Sequence, residues 1–301
     1  MVLTYLKLLM TAFFWGGTFI AGRLIANSVG TYSAAFFRFL IASVFLLLIT
    51  WKTEGRIPKI RRDQIFPVVL LGMTGVFAYN IFFFKGMQLV EAGRAAVIIA
   101  NNPVFIAIFS AMLFKEKLNR IQISGILLSV AGAMTVISRG RLLDIVAGGF
   151  GWGEFLIFCC VLSWVTFSLI GRMILTNLSP LTSVTYAATI GTAALALPAI
   201  FEGVYYQIPA YTIVDWLSLF FLGFFGTVLG FVWYYQGIRI IGATRAGLFI
   251  NFVPVSAIIL AFFILDEPIT ASLFVGTVLV VGGVYLTNKT RVDRKDDEIQ
   301  P

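Results

Sequence analysis

Two apolar stretches of the chain carry amide side chains and a proline close to their middle. The first, RAAVIIANNPVFIAIFSAMLFKEK, contains Asn101, Asn102 and Pro103, and the second, RAGLFINFVPVSAIILAFFILDEP, contains Asn251 and Pro254. An unpaired amide is costly in an apolar surrounding, and a proline inside a helix frees the carbonyl one turn earlier. We therefore predict a polar place inside an apolar protein, bordered by helices that the prolines kink or allow to hinge.

Aromatic side chains with a polar end occupy similar interior positions in other apolar runs. Trp15, Trp164 and Tyr79 lie well inside such runs, whereas Trp51 and Trp152 lie near their ends. A buried indole N–H or phenol O–H needs an acceptor, so lining a wet cavity and packing between helices are both open interpretations. We expect these residues to line a substrate cavity: Trp15, Tyr79, Asn80, Asn101, Asn102, Trp164, Trp233, Tyr235 and Asn251.

Charged residues inside the apolar runs are few, which makes each of them a functional suspect. We expect a structural role for Arg38, as a partner of a carboxylate or a helix C-terminus; the alternative is contact with a substrate carboxylate. Glu116 and Glu267 follow the two proline-containing runs. We expect each glutamate to cap the next helix or to pair with a nearby lysine or arginine, which is again a structural role.

Residue types that support catalysis and metal binding are scarce. The chain has no histidine, and its only two cysteines, Cys159 and Cys160, are sequence neighbours. Neighbouring side chains on a helix point apart, which disfavours a shared metal or a disulfide. The sequence also lacks a glycine-rich phosphate-binding motif. We therefore expect no metal, no other cofactor and no enzymatic activity.

The elements that must position these residues follow from composition. The chain has 301 residues, 59% of them hydrophobic and 12% charged, which excludes an ordinary soluble protein. Apolar runs of about 18–23 residues predict an all-α polytopic membrane protein that resides in the lipid bilayer. We predict ten transmembrane helices, at residues 3–23, 33–51, 65–85, 93–114, 120–137, 152–171, 181–201, 214–236, 243–265 and 271–288.

Lysine and arginine are distributed unevenly between the predicted loops. If the N-terminus is cytoplasmic, 16 of the 22 lysines and arginines fall on the cytoplasmic side and five on the other, with Arg38 inside a span. The positive-inside rule then predicts that both termini are cytoplasmic, in the inner (plasma) membrane of the cell. This asymmetry accounts for the net charge of +8, so we expect no nucleic-acid partner.

The second half of the chain repeats the first. The two interior prolines, the two glutamates that follow them and several glycine pairs are each separated by 151 positions, and Trp15 and Trp164 by 149. Five spans per half is an odd number, so the second half must enter the membrane from the opposite face, as two inverted five-helix repeats. We place the repeats at residues 1–140 and 150–288, followed by a charged cytoplasmic tail at 289–301.

Several segments resemble a known family. Residues 13–23 (FFWGGTFIAGR), 36–43 (FFRFLIAS), 93–134 and 264–286 (ILDEPITASLFVGTVLVVGGVYL) are similar to the EamA domain of the drug/metabolite transporter superfamily. Taken twice, the resemblance covers nearly the whole chain. It implies ten helices and the export of small metabolites, often amino acids and their relatives.

The predicted function is therefore secondary transport of a small molecule by alternating access. Amides and aromatic rings suit an amino acid with an apolar or aromatic side chain, and a hydrophobic drug or organic cation is the alternative. Because no carboxylate lies at mid-depth to relay protons, we favour gradient-driven facilitated export. The glycines of the fifth and tenth spans are expected to tie the two halves, or a homodimer, together; a monomer would be sufficient for transport.

Overall fold

Ten long helices make up most of the chain. The computed structural model describes residues 1–115, 118–140, 151–174 and 178–296, without the side chains of residues 173, 174, 243, 244 and 289–296. All ten helices are long and apolar enough to cross a membrane, which confirms the predicted all-α polytopic fold. They are α1 (Val2–Leu24), α2 (Thr31–Glu54), α3 (Arg62–Leu89), α4 (Ala92–Phe114), α5 (Arg120–Ile137), α6 (Trp152–Arg172), α7 (Pro180–Phe201), α8 (Ile213–Ile241), α9 (Arg245–Leu265) and α10 (Ala271–Asn288).

The helices extend somewhat beyond the predicted spans. The helical backbone of α10 continues to Asp296, so the first part of the predicted tail is helical, and residues 297–301 lie outside the described residues. Between α7 and α8 the chain forms a short helix, Val204–Gln207, and a 3-10 turn, Ile208–Ala210. Connections elsewhere in the described chain are short, so the ten helices form the framework that positions every interior side chain.

Helices α4 and α9 are interrupted where the sequence carries its amides and prolines. Helix α4 consists of Ala92–Ile99 and Asn102–Phe114. The helical backbone of α9 begins two residues before the span, and its segments are Ala243–Ile250 and Phe252–Leu265. Pro103 lies in the first turn of its segment, where a missing backbone N–H leaves no hydrogen bond unmade. Each helix is therefore interrupted just before its proline, at matching places in both halves.

Helices α3 and α8 contain a feature that the sequence patterns did not predict. Their middle sections, Gly72–Ala78 and Phe221–Leu229, are π-helical. These sections occupy equivalent positions in the two halves, since Gly75 and Gly226 are separated by the repeat spacing of 151. Wider helical turns of this kind often accompany functional sites, and both sections border the cavity described below.

Helices α5 and α10 cross closely through glycines. A Cβ atom added to Gly125 would lie 2.6 Å from the backbone nitrogen of Thr287 and 2.7 Å from the Gly283 carbonyl. One added to Gly132 would lie 2.7 Å from the Gly276 carbonyl. The numbering rises along α5 while it falls along α10, so the two helices run antiparallel. We expected these glycines to join either the two halves of the chain or two copies in a homodimer. The contacts show that they join the two halves of one chain.

Helices α2 and α7 also run antiparallel. The hydroxyls of Ser43 and Thr192 are 3.0 Å apart, and those of Thr50 and Thr185 are 2.7 Å apart. Ser43 and Thr192 are themselves separated by 149 positions, the spacing that also relates Trp15 and Trp164. Antiparallel crossing of equivalent helices is what an inverted repeat requires, and the relation between the complete halves stays a prediction.

Two neighbouring glycines of α10 provide a matched test of this packing. An added methyl at Gly283 would lie 2.5 Å from the Gly125 carbonyl, whereas one at Gly282 would lie 3.7 Å from Leu128 Cδ2. We expect Gly283→Ala to lower the free energy of unfolding by about 1–3 kcal/mol through overpacking. Gly282→Ala should leave it unchanged or raise it by about 0.5–1 kcal/mol, because alanine favours the helix. Thermal unfolding of both variants in detergent measures the difference; equal stabilities would contradict the close crossing.

Candidate functional site

A cavity of about 530 Å³ lies between the two halves of the chain. Helices α1, α3, α4, α6, α8 and α9 line it, as the sequence led us to expect, and α2, α7 and the end of α10 also contribute. The breaks in α4 and α9 border it through both prolines, Pro103 and Pro254, and through Ile99 and Ile250, whose carbonyls precede the prolines by one turn. The irregular backbone of four helices therefore surrounds one cavity.

Aromatic rings form a continuous wall of the cavity. The ring centroids of Trp15 and Phe231 are 5.8 Å apart, those of Phe231 and Trp164 are 6.1 Å apart, and those of Trp164 and Tyr79 are 5.6 Å apart. Tyr235 extends the wall from Phe231, at 6.2 Å. Contacts at these distances and tilts are typical of favourable aromatic packing. The structure thus brings the predicted Trp15, Tyr79, Trp164 and Tyr235 together.

The two equivalent tryptophans differ in their hydrogen bonding. The indole Nε1 of Trp15 donates to the Gly226 carbonyl in the π-helical section of α8, at 2.9 Å. Trp164 Nε1 makes no hydrogen bond within the part of the chain that the structure describes, although its ring is only partly exposed. Trp15 is therefore fixed in place, while Trp164 retains a free donor for a molecule in the cavity.

Asn80 and Asn102 are the predicted amides that line the cavity. Asn80 is buried, and its Nδ2 donates to the Val76 carbonyl at 2.7 Å. Asn102 Oδ1 is sealed from solvent and has no hydrogen-bond partner among the described residues. This unpaired acceptor is a cost to the fold, so Asn102 is a candidate for rearrangement when a ligand enters.

Three residues that we predicted at the cavity lie elsewhere. Asn101 is buried; its Nδ2 donates to the Val97 carbonyl at 3.0 Å, and its Oδ1 accepts from Ser129 Oγ at 2.7 Å, so it ties α4 to α5. Trp233 packs on Phe14 with centroids 5.7 Å apart, on another face of α8. Asn251 occupies the break in α9 and is not among the described residues that line the cavity.

Other lining residues were missed, although the repeat contains a signal for one of them. Phe231 stands 151 positions after Asn80, and Thr227 stands 151 positions after Val76. All four line the cavity. Projecting the candidate Asn80 onto the other half by the repeat spacing identifies Phe231. Thr227 is equivalent to Val76, which was not a candidate, so the same projection does not identify it.

Arg38, for which we predicted a structural role, forms part of the cavity wall. Its side chain is 8% exposed. The guanidinium donates from Nη1 to Asn80 Oδ1 at 3.0 Å and from Nε to Thr227 Oγ1 at 3.3 Å. Its carbon Cζ also lies 5.4 Å from the centre of the Phe39 ring. Both hydrogen-bond acceptors are neutral, which differs from the carboxylate or helix C-terminus that we expected.

Glu267 caps a helix, but a different one from the helix that we expected. Its two carboxylate oxygens accept from the backbone N–H groups of Ala92, at 2.7 Å, and Gly93, at 3.0 Å. These groups begin α4 in the other half of the chain, whereas the expected partner was α10, which follows Glu267. A carboxylate at a helix N-terminus satisfies unpaired donors and complements the helix dipole. Glu116, its counterpart, lies outside the described residues.

Two further glutamates make equivalent contacts between α2 and α7. Glu202, after the end of α7, accepts from the Ser33 backbone N–H at the start of α2, at 2.7 Å. Glu54, at the end of α2, accepts from the hydroxyls of Ser179, at 2.5 Å, and Thr182, at 3.0 Å, at the start of α7. Each helix of the pair therefore ends in an acid that accepts hydrogen bonds from the start of the other helix, and the contacts hold the two halves together.

The cavity extends toward one end of the helices only. Its lining reaches Gly171, Ser183, Gly247 and Asn288, near helix ends that we predicted to be cytoplasmic. Toward the opposite ends the described lining stops at Ala96, in the second turn of α4. On that opposite side Phe83 is fully buried against Phe19. The cavity therefore reaches the helix ends that we predicted to be cytoplasmic and is closed at the other ends by packed aromatic rings.

Polar contacts between the halves reinforce the closed side. Arg94 of α4 and Glu154 of α6 form an ion pair at 3.0 Å, with side chains 8% and 12% exposed. Ser28 Oγ donates to Asp215 Oδ1 at 2.5 Å. Glu154 occupies the first turn of α6, where an acid complements the helix dipole. The ion pair adds a second role for it, in joining α6 to α4.

Comparisons with known proteins agree with this architecture. The family model described as EamA-like transporter family matches the chain twice, over residues 2–138 and 151–289. The uncharacterized transporter YyaM of Bacillus subtilis (strain 168) is 31% identical over 93% of this chain and 92% of its own. The probable terminal-alkyne amino-acid exporter of Streptantibioticus cattleyicolor is 27% identical over 98% and 96%. A solved crystal structure that is 20% identical superposes with a TM-score of 0.65, over 95% of this chain and 98% of that chain, which shows a shared fold.

Proposed function

The chain belongs to the EamA-like transporter family, and we propose that it exports amino acids with apolar or aromatic side chains by alternating access. It is a multi-pass membrane transporter and not an enzyme. The observation that carries the substrate class is the wall of aromatic rings along a cavity between the halves. A relative named as a probable amino-acid exporter supports the same class.

The size and chemistry of the cavity support an amino acid. A volume of about 530 Å³ lies in the range of small-molecule sites. The faces of Trp164, Tyr79 and Phe231 offer apolar contact to a side chain and cation–π attraction to an ammonium group. The carbonyls near the breaks in α4 and α9 add acceptors for the same group. A hydrophobic organic cation would find the same rings, but it would also meet the positive charge of Arg38.

Transport driven by the substrate gradient is part of the proposal. No aspartate or glutamate is found among the described residues of the cavity lining, so the lining offers no carboxylate for a proton relay. The distribution of lysine and arginine supports cytoplasmic termini in the inner (plasma) membrane. The antiparallel crossings of α2 with α7 and of α5 with α10 support two inverted five-helix repeats that exchange conformations during the cycle.

Counterflow into proteoliposomes tests the substrate class. We expect vesicles preloaded with L-leucine, L-phenylalanine or L-tryptophan to accumulate the labelled amino acid, with or without a pH gradient. Trp164→Ala should lower the flux about tenfold or more, because it opens the aromatic wall and removes an indole whose donor is free for a bound molecule. Trp51→Ala is the matched control, since Trp51 is 61% exposed at the end of α2. Wild-type vesicles that carry hydrophobic cations and no amino acid would overturn the proposal.

A further inference from the structure

Two arginines are buried within the described spans, and the protein treats them differently. Arg94 is 6% exposed and pairs with Glu154 at 3.0 Å. Arg38 is 8% exposed, and no described carboxylate lies within ion-pair distance of it. An arginine stays protonated in proteins, and a buried charge without a counter-ion is costly. The contrast indicates that Arg38 has a counter-ion outside the described residues of the chain.

We infer that Arg38 binds the carboxylate of the transported molecule, an inference that rests on the proposed transport function. Its Nη2 atom makes no hydrogen bond to the described residues. Some side-chain atoms of the described chain, such as Arg94 Nε, lack a partner and are sealed from solvent, but Arg38 Nη2 is not one of them. Because Nη2 lacks a partner and is not sealed, it is in contact with open space. Because Arg38 lines the cavity, this donor faces the place where a substrate would be bound.

The protein holds the guanidinium from two sides and leaves one edge free. Asn80 Oδ1 accepts from Nη1 while its own Nδ2 donates to the Val76 carbonyl, which fixes the orientation of the amide. Thr227 Oγ1 accepts from Nε while its hydroxyl donates to the Leu222 carbonyl at 2.9 Å. Val76 and Leu222 belong to the π-helical sections of α3 and α8. These sections therefore position Asn80 and Thr227, the two acceptors that orient the Arg38 guanidinium.

The repeat shows that this charge belongs to one half alone. The position equivalent to Arg38, at the spacing of 149, is Ala187, and the position equivalent to Asn80 is Phe231. Both lie in the cavity lining. One end of the cavity is thus cationic and hydrogen-bonding, while the equivalent region of the other half is apolar and aromatic. A molecule with a carboxylate at one end and an apolar group at the other matches this polarity.

The positive charge of Arg38 should determine which molecules the cavity binds. A carboxylate replaces water around Arg38 with a charge-assisted hydrogen bond, whereas a carboxamide brings no charge and an organic cation is repelled. We therefore expect acids to be carried in preference to their amides and amines of the same side chain. The aromatic wall then selects among acids by side chain.

A comparison of each amino acid with its carboxamide tests the inference. We expect wild-type vesicles to carry L-leucine, L-phenylalanine or L-tryptophan about 10- to 100-fold faster than the corresponding carboxamide, the range for a hydrogen bond between charged groups. In Arg38→Met the flux of the acid should fall by that factor while the flux of the carboxamide stays the same, so the preference disappears. Arg38→Lys should keep part of the preference, because it keeps the charge without the planar fork.

Thermal unfolding separates ligand binding from a structural role. Arg38→Met removes a buried charge without a counter-ion, so its thermal midpoint in detergent should equal or exceed that of the wild type. Phenylacetate, a carboxylate without an ammonium group, should raise the midpoint of the wild type and not of Arg38→Met. A variant that unfolds at lower temperature and keeps its preference for acids would overturn the inference and make Arg38 a structural tie.

The two proposals fail in different ways. Wild-type vesicles that carry no amino acid refute the proposed function, and the phenylacetate shift alone then decides whether Arg38 binds a carboxylate. Wild-type vesicles that carry acids and carboxamides equally well refute the inference about Arg38 and leave amino-acid transport intact.

Discussion

Replacing Glu154 with leucine is expected to destabilise the protein by about 3 kcal/mol, the low end of the cost of stranding a buried charge. Glu154 is the only described carboxylate that pairs with Arg94. The remaining hydrogen bond of that guanidinium, from Nη2 to the Ile137 carbonyl at 2.9 Å, is to a neutral group, and Nε already lacks a partner. A lower thermal midpoint of unfolding in detergent measures the effect.

Two further variants show whether the loss comes from the stranded charge. Arg94→Met combined with Glu154→Leu should recover most of the stability, because two apolar side chains replace a buried ion pair with little net cost. Asp63→Leu removes an exposed ion pair, in which Arg61 and Asp63 are 70% and 59% exposed, and should cost less than about 1 kcal/mol. A double variant no more stable than Glu154→Leu would contradict the role of the charge.

The sequence predicted the framework of the fold well because its signals are local. Length and hydropathy define the ten helices, and the spacing between equivalent prolines and glycines reveals the repeat. Depth within a span also follows from counting along the chain. Trp15, Tyr79 and Trp164 were therefore predicted at one level, and the structure brings them together in one wall.

The site was predicted less completely because its contacts are made between distant segments. Asn101 and Asn102 point about 100° apart on a helix, since one turn takes 3.6 residues, and only the packing decides which of them reaches the cavity. Asn101 turned toward Ser129 of α5, and Asn102 toward the cavity. Glu267 likewise found its partners in the other half of the chain, where no sequence pattern marks them.

The π-helical sections and the state of Arg38 lie beyond sequence patterns for a related reason. A π-helix changes the hydrogen-bond register while it leaves hydropathy unchanged, so the periodicity of apolar residues does not predict it. The sequence showed only that Arg38 lies inside a membrane span. It did not identify the hydrogen-bond partners of Arg38, which are Asn80 of α3 and Thr227 of α8. Only the assembled helices show that both partners are neutral and that one edge of the guanidinium is free.

Chemical modification at Gly247 is expected to stop transport completely, and only from one side of the membrane. Gly247 lines the cavity near the start of α9, and a Cβ atom added there would have only the Tyr234 hydroxyl, at 4.0 Å, as a neighbour. Gly247→Cys should therefore fold and transport normally, in a background where serines replace Cys159 and Cys160. Attachment of a bulky charged thiol reagent should then block the end of the cavity that Gly247 lines.

The side of reaction tests the orientation together with the path. A membrane-impermeant reagent should react with Gly247→Cys when it has access to the cytoplasmic face, and a bound amino acid should slow the reaction. Lys52→Cys is the matched control, because Lys52 is exposed at the end of α2 on the same predicted side; it should react equally well and leave transport unchanged. Reaction of both cysteines from the outside alone would reverse the orientation. Full transport by modified Gly247→Cys would instead place the substrate path elsewhere, because a substrate cannot pass an entrance that is occupied by a covalently attached group.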